Sequence, residues 1–524
     1  MTGGAPVLHR WAPHGALVLP DDVHNQRLVA NVHPPGWVNP EPAGRYNLVV
    51  IGAGPAGLVT AAIASALGAK VALVEKHLMG GDCLNVGCVP SKGMISAARA
   101  WAMLRRGAEF GFAGTEHIRY DFGAVMARMR ELRARMSRVD SAQRFASLGV
   151  DVFLGEGRFA SPDSVEVAGK TLRFAKAAIC TGARAAAPPI LGLAKAGYRT
   201  NETIFELTER PARLAVIGAG PIGCEMAQAF ARFGTRVWLF ERTERILHHE
   251  DGDAARIVQD RMQRDGVSFL FQTAPTRVER RGAEKVLHYR ANNEARFIEV
   301  DEILIGVGRA PNVEGLHLEQ AGVEYDAGTG VKVNHRLQSS NPRIFAAGDV
   351  CFPHKFTHAA DATAQVLIQN ALFPHPFGLG WARTDALVIP WTTYTDPEVA
   401  HVGLYERDAR EKGLAVATFT VKLDEVDRAI LDGEDDGFAR VHLQKGTDKI
   451  LGATIVAPHA GELISEVTVA MRAGLGLATV GAAIHPYPTQ AEVIKKLANA
   501  WRRTTLTAGK KAVLARWFRW TRGG

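Results

Sequence analysis

Cysteine is scarce in this chain, with five in 524 residues. That rules out a disulfide-stapled scaffold and fits a reducing compartment, where a close cysteine pair does chemistry more often than stapling. The opening residues, MTGGAPVLHRWAPHG, lack the basic start and apolar run of a secretory leader. No apolar stretch reaches membrane length unbroken. The nearest, Leu48 to Val74, is interrupted by Gly52, Gly54, Pro55, Gly57 and Gly68, and it reads as strand–turn–helix–strand. Acidic residues are missing after Glu492, while nine Lys/Arg follow, at 495, 496, 502, 503, 510, 511, 516, 519 and 522. That leaves 53 of the 62 basic residues against all 54 acidic ones. The formal charge of +8 is therefore a property of the tail and gives no reason to expect a nucleic-acid partner. The expectation is a cytoplasmic protein.

A chain this long exceeds one hydrophobic core, and two to four domains are expected. Two segments nearly repeat one another: LVVIGAGPAG (Leu48–Gly57) and LAVIGAGPIG (Leu214–Gly223). Each has an apolar run, a G-x-G-x-x-G turn (Gly52, Gly54, Gly57 and Gly218, Gly220, Gly223), an Ala-rich helical stretch and a second strand closing on glutamate. Those glutamates, Glu75 and Glu241, each lie 23 residues after the first glycine. The first glycine allows the tight turn, the second lets a phosphate approach the backbone, and the third lets helix and strand pack closely. A pyrophosphate rests on the helix N-terminus, and the acidic residue accepts from a ribose hydroxyl. Two dinucleotide sites are predicted. From about Trp391 the texture becomes alternating strands followed by helices, a third α+β domain. Residues 1–45 read as an irregular, proline-rich extension.

The short stretch GGDCLNVGCVPSK (Gly80–Lys92) holds two of the five cysteines, Cys83 and Cys88. In a regular helix, residues five apart are rotated by about 140° and rise about 7.5 Å, too far for a disulfide. Either the thiols never bond or the backbone between them is distorted, which Asn85 and Gly87 would permit. Cys88 and Lys92 are spaced i, i+4, so a helix stacks the ammonium over the second sulfur. Pro90 suits a first helical turn. A positive charge and a helix N-terminus both favour a thiolate. The plainer reading is two unrelated buried thiols. Cys180 and Cys224 read as packed core residues, and Cys351 has no evident partner.

The motif G-G-D-C-L-N-V-G-C-V-P-S-K between two dinucleotide turns resembles the redox-active disulfide of the flavin-dependent pyridine nucleotide–disulfide oxidoreductases. That family includes dihydrolipoamide dehydrogenase, glutathione reductase and mercuric reductase. The resemblance runs from about Tyr46 to Ala500 and implies an α/β fold: two Rossmann-like domains, for FAD and NAD(P), plus a C-terminal α+β dimerisation domain. The implied boundaries are 46–195 with 326–385 for FAD, 196–325 for the nicotinamide nucleotide, 386–500 for a homodimer interface, and 501–524 as a basic amphipathic tail. By the same resemblance, Cys88 faces the flavin and Cys83 exchanges with substrate. Lys92 lies near the flavin and pairs with Glu225. Thr181–Gly182 and Gly348–Asp349 complete the FAD fingerprints.

Glu241 and an intact Gly223 favour NADH, because a carboxylate repels a 2′-phosphate. Arg242 and Arg245 keep NADPH open. The family's disulfide-exchanging members carry H-x-H-P-T-x-x-E near the C-terminus, with a histidine base oriented by the glutamate. Here the segment is HPYPTQAE (His485–Glu492), which puts Tyr487 at the base position and Glu492 at the orienting one. A positioned base contributes roughly 10²–10⁴-fold, and a phenol near pKa 10 is a poor proton acceptor at neutral pH. Mercuric reductase carries Pro-Tyr at this place, matching Pro486–Tyr487, and two thiolates bind Hg(II) without a proton shuttle. Departures from it are the missing cysteine pair after Cys351 and the missing N-terminal metal-binding domain. The expected acceptor is therefore Hg(II) or another thiophilic metal ion. The alternatives are a small disulfide or dihydrolipoyl group, direct flavin reduction of quinone or oxygen, or a low-turnover redox sensor. No resident metal is expected. In the tail, Val513, Leu514, Trp517 and Phe518 among Lys510, Lys511, Arg516 and Arg519 suit an anionic membrane surface or docking on the dimer.

Overall fold

A computed structural model describes residues 18–523. The chain divides into two compact units, residues up to 244 with 265–387, and 245–264 with 388–524.

The first unit contains two sheets built around parallel strands, besides a three-stranded antiparallel sheet and two two-stranded ones. In the larger, strand Arg45–Ile51 lies between Val71–Glu75 and Lys170–Ile179, parallel to both, with Asp151–Leu154 beyond Val71–Glu75 and Ile344–Ala346 parallel to Lys170–Ile179. Strands Gly157–Ser161 and Ser164–Val167 extend it as an antiparallel edge. Both faces of the parallel centre are covered, so its strands are continuous apolar runs such as LVVI and VALV. The helix Pro55–Ala66 makes the crossover between the first two strands and packs on Thr357–Leu372. The second sheet orders Val267–Leu270, Arg236–Phe240, Arg213–Ile217 and Glu302–Ile305, all parallel, with Pro221–Arg232 as its crossover helix. Each first strand and its crossover helix therefore aim one glycine turn at the strands' carboxyl edge, where ligands bind in open α/β sheets.

The second unit is a five-stranded antiparallel sheet in the order 390–393, 398–403, 450–457, 438–444, 416–422, with helices Ala460–Arg472 and Glu492–Thr505. Its central strand ILGATIVA is buried at every position.

Two expectations are corrected. The 1–45 extension is not irregular throughout, because Val23–Val32 is a helix capped by the Asp22 carboxylate, with Asn25, Leu28 and Val32 buried on one face. Residues 1–17 lie outside the described residues. The 196–325 segment is also not one body. Residues 245–264 cluster with the second unit, where buried Glu250 accepts from Trp391 Nε1 (2.9 Å) and Tyr405 Oη (2.5 Å). Among the described residues, no helix is long and apolar enough to cross a membrane.

Candidate active site

The two glycine turns are built alike. Gly52 and Gly218 adopt left-handed φ of +100° and +103°, and a Cβ on either would lie 2.4 Å from Cys180 O or 2.5 Å from Gly306 O. A Cβ on Gly57 or Gly223 would lie 1.8 or 1.9 Å from the carbonyl oxygen of Gly52 or Gly218. The middle glycines differ in kind. A Cβ on Gly220 meets nothing within 4 Å, and one on Gly54 meets only Gly81 Cα at 3.8 Å. Packing within the chain does not demand glycine there, whereas a ligand lying on the backbone does.

Neither crossover helix has a side-chain cap on its N-terminus, and each opens with proline at its first turn. Their free N–H groups suit a pyrophosphate. Glu75 Oε2 accepts from the Ala53 N–H at 2.6 Å and Oε1 from the His77 N–H at 2.8 Å. Glu241 repeats this on the N–H groups of Ala219 and Thr243, both at 2.9 Å. Burial pushes the Glu75 carboxyl up against those bonds. At Glu241 burial is outweighed by hydrogen bonds from Thr243, Ala219 and Arg242, and the carboxyl stays below its ordinary value. Arg242 is exposed. Arg245 donates to the carbonyls of Glu250 and His248 at 3.0 and 3.1 Å.

The loop that carries Cys83 and Cys88 follows from two consecutive left-handed glycines, Gly80 (φ +89°) and Gly81 (φ +55°). They fold the chain over the first turn, where Gly80 N–H donates to Ala53 O at 2.8 Å. Cys83 lies in the helical turn Gly81–Asn85, and Cys88 opens the helix Cys88–Arg105. Between them Val86 and Gly87 leave helical geometry, so the backbone between the cysteines is distorted, while both remain free thiols. A Cβ on Gly87 would lie 2.8 Å from Asp82 O and 3.3 Å from Cys83 Cα, which ties glycine to the close approach of the two segments. Asn85 plays another part from the one expected. Its amide donates to Met79 O (3.0 Å) and Gly81 O (2.8 Å), bracing the loop.

Both cysteines are thiols in this structure, and their environments drive them apart. A hydrogen bond from Cys83 is the main cause pulling the Cys88 thiol down to about 6; burial opposes it, while Thr357 and Lys92 add to it. The same hydrogen bond, then burial, push Cys83 well up. Thr357 Oγ1 lies 3.5 Å from Cys88 Sγ. One turn along, Lys92 Nζ pairs with Glu225 Oε2 at 2.9 Å, Glu225 being only 5% exposed. The arrangement sets a thiol pulled toward its thiolate form beside one pushed toward its protonated form, with an ion pair one turn along that is buried only at Glu225.

The remaining first-unit residues converge on the same region. Thr181 Oγ1 donates to Asn312 O (2.7 Å), and Asn312 Nδ2 returns to Thr181 O (2.9 Å). Gly182 is left-handed at φ +68°. Gly348 N–H donates to Thr363 Oγ1 at 3.1 Å. Burial pushes the neighbouring Asp349 carboxyl up against the pull of Arg309. Sequence reasoning missed Arg309, which spans from Asp82 (2.8 Å) to Asp349 (3.6 Å). It missed Asn201 too, which donates to Asp82 Oδ1 (3.0 Å) and Val86 O (3.2 Å). Both reach Asp82 from more than a hundred residues away, and only the GGD run hinted that Asp82 mattered.

Tyr487 and Glu492 belong to the second unit and are not paired to each other. Tyr487, 71% exposed, donates to Asp427 Oδ2 at 2.8 Å. That bond raises the phenol further. Glu492 opens the helix Glu492–Thr505, its Oε2 buried without a hydrogen-bond partner among the described residues. His485 engages Ala483 O (3.1 Å) and Glu466 Oε1 (3.0 Å). Cys180 and Cys224 are buried as expected, and Cys224 Sγ donates to Ala219 O at 3.3 Å. No metal-holding cluster of His, Cys, Asp and Glu occurs among the described residues.

Comparison with known proteins agrees with this geometry. A family profile described as pyridine nucleotide-disulphide oxidoreductase matches residues 46–366, and that of the family's dimerisation domain matches 389–498. The mercuric reductase of Staphylococcus aureus is 34% identical over 452 residues, covering 86% of this chain and 82% of its own. The dihydrolipoyl dehydrogenase of Geobacillus stearothermophilus is 32% identical over 463 residues, covering 86% and 95%. Among solved structures, a Cu(II) complex of the HOCl-induced flavoprotein disulfide reductase RclA from Escherichia coli is similar with TM-score 0.77 and 27% identity, covering 86% and 99%.

Proposed function

The chain belongs to the pyridine nucleotide-disulphide oxidoreductase family of flavoproteins, and from that premise we propose that it reduces a thiophilic metal ion, Hg(II) foremost, with electrons from NADH. When bound between the first glycine turn (Gly52, Gly54, Gly57, Glu75), Lys92, Thr181–Gly182 and Gly348–Asp349, FAD supplies the relay between a hydride donor and a thiol pair. The nicotinamide nucleotide would be held at Gly218, Gly220 and Gly223. Glu241 would accept from its free 2′-hydroxyl, which disfavours a 2′-phosphate. Cys83 and Cys88 form the redox disulfide. Once they are reduced, the low pKa of Cys88 makes it the standing thiolate, and Cys83 is the sulfur that meets the acceptor. The Lys92–Glu225 pair fixes a cation one turn from Cys88.

The observation that carries the choice of acceptor is Tyr487. Its hydroxyl is committed as a donor to Asp427, so it cannot take up the proton that disulfide exchange releases. A soft ion held by two thiolates needs no such base. The likeness to a mercuric reductase and to a Cu(II)-bound flavoprotein disulfide reductase supports the same reading. A second reading, dihydrolipoyl or small-disulfide chemistry, draws on the likeness to a dihydrolipoyl dehydrogenase and on His485, whose pairing with Glu466 resembles an imidazole–carboxylate base.

Steady-state NADH oxidation against Hg(II), lipoamide, glutathione disulfide and quinones separates these readings. Turnover with Hg(II) that survives Tyr487→Phe within about tenfold supports the first. Lipoamide turnover lost on His485→Gln supports the second. No turnover with any acceptor favours a sensor. Residues 386–500 are assigned to a homodimer interface, to be checked by light scattering. The helix Ala508–Thr521 is exposed throughout, with Val513, Leu514, Trp517, Phe518 and Trp520 among basic residues. A weak contact with anionic lipid is assigned to it, and equal liposome partitioning with and without residues 506–524 would remove that assignment.

A further inference from the structure

Residues 18–45 precede the stretch matched by the family profile, 46–366, yet they are bonded into the redox loop. Asp22 caps the helix Val23–Val32 and accepts from Arg130 Nε at 2.5 Å. Asn25, 1% exposed, accepts from Arg133 Nη2 at 2.6 Å and donates to Pro20 O at 2.8 Å. Arg133 Nη1 then donates to the Asn85 carbonyl at 2.6 Å. Asn85 stands between the two cysteines. Two more bonds tie the segment to the chain entering the loop: Met79 N–H donates to Val32 O at 3.1 Å, and His33 Nδ1 lies 2.5 Å from His77 O.

Arg133 is 3% exposed, and its hydrogen-bond acceptors here, Asn85 O and Asn25 Oδ1, are neutral oxygens. Burying a guanidinium in such company costs stability, and an apolar side chain of similar size would fill the space with less penalty. What the guanidinium provides is a rigid fork that joins the Asn25 side chain to the Asn85 carbonyl at fixed spacing. One end is a buried side chain of the added helix; the other is a peptide carbonyl in the stretch between Cys83 and Cys88.

We propose that Asn25 and Arg133 are positioning residues of the redox pair: the N-terminal helix, acting through Arg133, holds the Asn85 backbone and thereby the approach of Cys83 to Cys88. This rests on the reading of Cys83–Cys88 as the redox disulfide. Loosening the loop lowers the effective concentration of one thiol at the other, so the disulfide becomes easier to open.

The test equilibrates the flavin-loaded protein in mixtures of glutathione and glutathione disulfide. Alkylation and mass spectrometry then count free thiols at Cys83 and Cys88. In this exchange two protein thiols become one disulfide, while glutathione disulfide takes up the two electrons and two protons and leaves as two glutathione molecules. Asn25→Leu is expected to lower the equilibrium constant for disulfide formation about tenfold, and Arg133→Met at least as far. Asn25→Asp keeps the acceptor oxygen and should stay within about twofold of the parent. A purely structural role would lower urea midpoints without moving this constant, and Asn25→Leu carries the test alone if Arg133→Met does not fold. An unchanged constant in the variants, with the parent forming the disulfide normally, overturns the inference. A parent protein that forms no Cys83–Cys88 disulfide in any mixture overturns the redox-pair reading, and the inference with it.

Discussion

The two glycine turns are near copies in sequence and in backbone, yet their surroundings differ. The first is roofed by the cysteine-bearing loop: Gly80 bonds to Ala53, and a Cβ on Gly81 would lie 2.6 Å from Gly54 Cα. Its glutamate, Glu75, is 8% exposed and pushed up by burial. Over the second turn Gly220 faces open space, and Glu241 is half-buried with its carboxyl held low. The same motif is thus set in two kinds of surroundings. A covered turn suits a resident cofactor that stays through many turnovers. An open one suits a nucleotide that must leave after each hydride. What separates them is not in the motif but in what the rest of the chain lays over it.

The comparison can be broken most sharply at the third glycines. Gly57→Ala places a Cβ against the Gly52 carbonyl, and overpacking of this kind costs about 1–3 kcal/mol or more. The purified variant should lose its visible flavin absorbance. Gly223→Ala should keep the yellow colour and raise the KM for NADH by about a hundredfold. Equal flavin loss in both would erase the distinction between resident and exchanging sites.

The roof over the first turn sets the next contrast. With Cys88 near 6 and Cys83 pushed well up, iodoacetamide should alkylate Cys88 about a hundredfold faster at neutral pH, with its rate half-maximal near pH 6. Equal rates at both sulfurs would contradict the arrangement. Third, Glu241→Ala should narrow the preference for NADH over NADPH by about tenfold in KM, because Arg242 then faces a 2′-phosphate unopposed.

The smallest expected effect is the pH dependence of stability, where the two glutamates should act with opposite sign. Glu75 has a raised folded value, so the folded state binds its proton more tightly. Its contribution declines as pH rises from the ordinary carboxylate range through that raised value. Glu241 has a lowered folded value, so its contribution is present above the ordinary range and is lost as pH falls through the lowered one. Urea midpoints across the acidic range should therefore lose opposite slopes in Glu75→Gln and Glu241→Gln. Slopes of the same sign would show that the two carboxylates do not differ in environment.

How far the sequence could be read followed from the range of the interactions. A glycine turn is a local object, since Gly52, Gly57 and Glu75 meet within one strand–helix–strand unit, and so it was legible. The cysteine spacing left open a distorted backbone or two unbonded thiols; Asn85 proved to be a brace and Gly87 the point of close approach. The helix Val23–Val32 was hidden by the prolines around it, despite an Asp22 cap and an apolar face at Leu28 and Val32. Arg309 was invisible for another reason: its carboxylates, Asp82 and Asp349, lie far off in the chain and only folding brings them to it. Glu250 and Tyr405, 155 positions apart, escaped for the same cause.

That last pairing has a genetic corollary. Because the stretch 245–264 is loaned to the unit that otherwise begins at 388, the C-terminal portion is no detachable cassette. A recombination crossover placed near codon 388 would part Glu250 from Tyr405 and Trp391, and Asp251 and Asp253 from Arg440. Chimeras with distant relatives should then persist only where both stretches travel from one parent, so that inheritance at two separated places in the gene is bound together by a single buried carboxylate and a handful of charges.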